Sequence, residues 1–109
     1  EQIYNGKVKY QNLNFQSIFD KQNYINKYCK MAADTNNYKS QYNYAQMLLK
    51  GDVIPQNLPQ GADYLNRSFE NGKEEAIYEY GILLEEALGI PADPIKALIY
   101  YEDMLILAI

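Results

Sequence analysis

The sequence contains no histidine, no tryptophan and a single cysteine among its 109 residues. Without histidine there is no Ser-His-Asp or Cys-His nucleophile, and no zinc or haem site that needs an imidazole ligand. One thiol cannot close an internal disulfide or build a metal site from cysteine alone. No apolar run approaches the roughly 20 residues that span a bilayer, so this segment is not expected to insert into a membrane. Basic residues are also few. Ten Lys and Arg against fourteen Asp and Glu give a net charge of −4, whereas a general nucleic-acid binder carries a basic face. The chain opens on Glu1 without the basic-then-apolar order of a signal peptide, and reads as a processed or excised piece of something longer.

What is present is a repeat. A hydrophobic share of 48% and a length typical of one domain make a packed core expected, and twelve residues are tyrosine. Shifted by 36 residues, Tyr44-Ala45 falls on Tyr80-Gly81 and Leu48 on Leu84. In the same register Ile54-Pro55-Gln56-Asn57 falls on Ile90-Pro91-Ala92-Asp93, and Tyr64 on Tyr100. Going backwards, Tyr28 falls on Tyr64, and Ala32-Ala33-Asp34 on Ser68-Phe69-Glu70. A register kept through most of the chain is the mark of a repeat architecture.

Each period holds two helices. Tyr44, Ala45, Leu48 and Leu49 form one apolar stripe in a helix expected near 38–50, and Ala76, Tyr80, Leu83, Leu84 and Ala87 form the next, near 74–87. Pro55 and Pro91 push their predecessors out of the helical region and end those helices. Asn57 and Asp93 are suited to cap second helices near 58–71 and 94–107, with Gln60 placed to complete a capping box. A related helix is expected near 21–34. Gly81, opposite Ala45 in register, predicts a close approach of two helix backbones. Residues 1–20 read as an atypical cap or linker ahead of an array over 21–109, and the alternation from Tyr4 to Tyr10 has no place in the repeat.

This pattern resembles the Sel-1-like repeat, a helical-hairpin relative of the tetratricopeptide repeat. That unit is similar to Ala-x-x-x-Leu-Gly-x-x-Tyr-x-x-Gly-x-Gly-Val-Pro-x-Asp, followed by Lys-Ala, an aromatic, Ala-Ala and Gly. Ala76, Tyr80-Gly81, Leu84, Ala87, Gly89-Ile90-Pro91, Asp93, Lys96-Ala97 and Tyr100 look like one unit. Ser40, Tyr44-Ala45, Leu48, Gly51, Ile54-Pro55, Asn57, Gln60-Gly61, Tyr64, Ser68-Phe69 and Gly72 look like the unit before it. Tyr28 with Ala32-Ala33 resembles the tail of a third. Val53, Ala87 and Ala45 stand where the family has glycine. The resemblance spans about residues 21–104. It implies an all-α fold, an α-solenoid of antiparallel helix hairpins with about two full repeats plus partial units, serving as an adaptor for protein assembly with no catalytic residue.

The remaining chemistry reads as structural. Cys29 shares a helical face with Ile25, Tyr28 and Ala32 and is expected as a small buried hydrophobe. A lone thiol fits a reducing compartment and so favours the cytoplasm. Asn66-Arg67-Ser68 matches a glycosylation sequon but falls inside an expected helix. Glu75, Glu79 and Glu86 lie away from the apolar stripe, as a solvated face. The tyrosines could stack on single-stranded RNA, but Tyr28, Tyr64, Tyr100, Tyr44 and Tyr80 recur at repeat positions, which marks them as packing residues. Tyr38, Tyr42 and Tyr78 are left for surface contacts. Charge is split: residues 1–54 carry seven basic and four acidic side chains, and residues 55–109 carry three and ten. In a solenoid that split becomes a field gradient along the array.

No cofactor or metal is expected. The expected role is that of a scaffold binding a protein or peptide on the concave face lined by the first helices. Tyr42, Gln46 and Leu49, then Tyr78, Ile82 and Glu85, are expected to face that groove. The alternative role is a regulatory or targeting segment of a larger protein such as an enzyme. The apolar run Met104 to Ile109 is expected to meet a further repeat or to form an oligomer contact.

Overall fold

A computed structural model describes residues 18–108, and within them the fold is all helical. The expectations for residues 1–17, including the alternation from Tyr4 to Tyr10, lie outside the described residues, as does Ile109. Five helices follow in order: α1 (Ile18–Ala33), α2 (Tyr38–Lys50), α3 (Leu58–Glu70), α4 (Ala76–Glu86) and α5 (Pro94–Ala108). Residues 18–20, expected with the N-terminal segment, form the first turn of α1. The pairs α2–α3 and α4–α5 make the most extensive contacts, and α1 on α2 and α3 on α4 link them. Two antiparallel hairpins therefore stack, preceded by a helix in the second-helix register, to give an α-solenoid measuring 55 × 27 × 18 Å.

Local chemistry sets the helix ends. Asn37 is extended and its side chain accepts from the Ser40 amide at 3.0 Å. Asn57 does the same for Gln60 at 3.1 Å, and Asp93 for Lys96 at 3.0 Å. Each satisfies one of the four amides a helix start leaves without a partner. The expected capping box does not form: Gln60 Oε1 takes the Asn57 side-chain amide at 3.4 Å. The Asn57 backbone N–H instead donates to Leu48 O at 2.9 Å, closing the hairpin. One period later Asp93 N–H donates to Leu84 O, also at 2.9 Å. The repeat is thus written in backbone hydrogen bonds as well as side chains.

The core runs along the hairpin seams through Tyr44, Ala45, Leu48, Ile54, Ala62, Tyr64, Leu65, Ala76 and Leu83. Tyr44 meets Tyr64 edge-on with centroids 4.9 Å apart, and Tyr80 meets Tyr100 at 5.8 Å one period on. The hydroxyls of the first pair stay bonded despite burial: Tyr44 donates to Asn26 at 2.5 Å and Tyr64 to Asp34 at 2.7 Å. Buried Gln41 accepts from Asn71 at 2.9 Å, so its interior carbonyl oxygen is also paired. Tyr28 departs from the packing reading. It is 47% exposed and lies against Tyr24 at 4.7 Å, because burial at this position comes from helices on both sides and α1 is the first described helix of the array.

Gly81 also differs from expectation. A Cβ there would stand 2.7 Å from Tyr101 Cε1, so a ring, not a backbone, occupies the space the glycine leaves. In the preceding unit the same two positions hold Ala45 and Leu65, both fully buried. The second hairpin has exchanged an Ala and Leu pair for a Gly and Tyr pair.

Candidate interaction surface

The first helices α2 and α4 are joined through one carboxylate. Tyr42 Oη donates to Glu79 Oε2, and Gln46 Nε2 donates to Glu79 Oε1 at 2.6 Å. Glu79, expected on a solvated face, is instead half-buried as the acceptor that ties one repeat to the next. Burial, and then the Glu79 carboxylate, push the Tyr42 hydroxyl up to about 12. It is therefore a neutral donor at ordinary pH. The Lys73 ammonium lies 4.8 Å from the Tyr42 ring centroid and 3.7 Å from Glu75 Oε1. This ring thus holds a cation supplied by the α3–α4 turn.

On the second hairpin the corresponding tyrosine is open. Tyr78 is 49% exposed and pairs with Tyr101 at 5.6 Å. Tyr101 Oη donates to Glu85 Oε1 at 2.8 Å, and burial followed by that carboxylate pushes it up to about 12. Tyr78 and Glu85, two turns apart on α4, are thereby joined through a residue of α5. Ile82, half-buried, lies between them in sequence.

The six expected groove residues divide. Tyr42 and Gln46 converge on Glu79, and Tyr78 and Glu85 converge on Tyr101. Leu49 belongs elsewhere: its Cδ2 is 2.8 Å from where a Cβ would stand on Gly61, so it packs into the seam between α2 and α3. Sequence reasoning missed Glu79, Lys73 and Tyr101. The paired change of Ala to Gly and Leu to Tyr between units was the signal available for Tyr101.

The Tyr42 and Tyr101 hydroxyls are held protonated, and the described residues contain no group of His, Cys, Asp and Glu arranged to hold a metal. Cys29 packs half-buried against the core, and burial raises its thiol above the ordinary value. Asn66 of the sequon lies within α3, its amide 3.4 Å from Glu70. No helix among the described residues is long and apolar enough to cross a membrane. In comparison with protein families, the Sel1 repeat matches residues 39–73 and again residues 74–102. The first match takes in α2 and α3, and the second α4 and much of α5.

Proposed function

Since the chain belongs to the Sel1 repeat family, whose members are non-catalytic repeats that generally mediate protein interactions, we propose that it is a scaffold holding a protein or peptide partner against its first helices. The groove is lined by Tyr42 and Gln46 of α2 and by Tyr78, Ile82 and Glu85 of α4, with Tyr101 of α5 at its edge. The observation that carries this reading is the open Tyr78–Tyr101 pair beside Glu85. Tyrosine offers a large, rigid contact area at low entropic cost, and its hydroxyl can pair with a polar group as the ring is covered. Lys73 on Tyr42 is a precedent within the chain for a side chain seated on such a ring.

A photo-crosslinking residue introduced at position 78 tests the groove against one at Asp52, in the exposed loop after α2. Capture of one protein from position 78 but not 52, and its loss on Tyr101→Ala with helicity intact, is the expected result. Equal capture from both positions would remove the groove assignment.

A further inference from the structure

A cleft of about 430 Å³ opens where the end of α3, the turn after it, the start of α4 and the last turns of α5 meet. Phe69, Ile77 and Ile106 line it with apolar surface, and Glu70, Glu74 and Asp103 supply three carboxylates. Among the described residues no cation forms a salt bridge with any of the three, and Glu70 accepts from the neutral Asn66 amide at 3.4 Å. None of these residues belongs to the groove above.

The preceding unit carries cations beside the equivalent carboxylate. By the 36-residue register Glu70 corresponds to Asp34, Asn66 to Lys30 and Asp103 to Arg67. There Asp34 binds the Lys30 ammonium at 2.9 Å and the Arg67 guanidinium at 3.2 Å. Arg67 also reaches Asp63 at 2.8 Å and lies 4.6 Å from the Tyr64 ring centroid. In the second unit both cations are gone. One has become an amide, the other a third carboxylate, yet the acceptor is kept, now beside the apolar lining of the cleft. A cleft whose retained carboxylate is paired with a guanidinium one repeat earlier suits an arginine from outside: an apolar stem for the lining and a fork of donors for the acids.

We propose that this cleft is a binding site for an arginine side chain of a partner polypeptide. The inference rests on the reading of the chain as a protein-interaction module, and not on the groove. The acidic half of the array, with three basic and ten acidic residues from position 55 onward, draws a basic segment to it.

The test measures binding of acetyl-Leu-Arg-Leu-Arg-Leu-amide to the full chain by calorimetry, beside the same peptide with Glu for Arg. The arginine peptide binds, more weakly as salt rises, and the glutamate peptide does not. Glu70→Gln with Glu74→Gln weakens binding on the order of tenfold, since two exposed charge pairs are lost. Asp103→Arg restores the guanidinium of the first unit, raising Tm and blocking the peptide. Tyr78→Ala leaves this binding unchanged. No binding by the folded chain, equal binding of the glutamate peptide, or an Asp103→Arg chain that binds as before overturns the proposal. Loss on Tyr78→Ala with the cleft variants unaffected also overturns it, while leaving the groove reading standing.

Discussion

Ala87 and Gly51 occupy one repeat position and one conformation, with different consequences. Both close a first helix in the left-handed region, at φ 55° and φ 74°, and donate to the carbonyl four residues back. Alanine meets its own Cβ there and loses roughly 1 kcal/mol against glycine. Ala87→Gly is therefore expected to raise unfolding free energy by about 1 kcal/mol in urea titration. Gly51→Ala should lower it by more, because its Cβ would also stand 2.6 Å from Gln56 Cβ. Tyr42 makes a second residue-scale prediction. Its folded pKa, about 12, lies above the ordinary 10.0. A group raised in this way stabilises the fold fully below its unfolded value and loses that contribution as pH rises through the folded one. The Tm advantage of the wild-type chain over Tyr42→Phe should persist at neutral pH and shrink from about pH 10 toward about pH 12. An advantage that grows with alkalinity would refute the Glu79 pairing.

Between elements, the second hairpin depends on a glycine and a tyrosine chosen together. Gly81→Ala gains the roughly 1 kcal/mol of helix propensity that glycine gives up. It also drives a methyl into the Tyr101 ring, an overpacking that costs about 1–3 kcal/mol. With Tyr101→Leu already in place, as Leu65 faces Ala45 in the first unit, only the propensity gain remains. A double-mutant cycle should show a coupling of at least about 1 kcal/mol, and additive single effects would mean the ring moves aside freely. This pair also marks the limit of what the sequence discloses. The period, the Pro-bearing loops and the caps at Asn57 and Asp93 are local, and they placed the helix hairpins. Glu79 sits on a polar face of its own helix and looks solvated from periodicity alone. Only the rotation of one hairpin against the next brings it under Tyr42 and Gln46. Leu49 packs against Gly61 of α3, since a stripe edge can face the seam as easily as the groove. The exchange of Arg67 for Asp103 is legible in the repeat register, but the cleft beside it forms only where α3, α4 and α5 meet in space.

At the scale of the molecule, stability follows position along the stack. In a solenoid each unit draws its stability from itself and its immediate neighbours. Among the described helices, α2, α3 and α4 have neighbours on both sides, whereas α1 and α5 lie at the two ends. The burial pattern records this. Ala62 of α3 is 0% exposed, and Leu98, one period later on α5, is 56% exposed together with Ile95, Ile99, Leu105 and Ile106. Apolar surface that stays in water contributes nothing to folding, at about 25 cal/mol per Å² left uncovered. Amide hydrogen exchange should therefore be slowest in α2, α3 and α4, faster in α1, and fastest in the last turns of α5. An arginine held by Glu70, Glu74 and Asp103 would bridge α3, the turn after it and α5. Saturating arginine peptide should then slow exchange selectively in α5 and the α3–α4 turn. Uniform slowing along the array would instead mean that the stack opens as one unit, and that the ends are as firmly held as the middle.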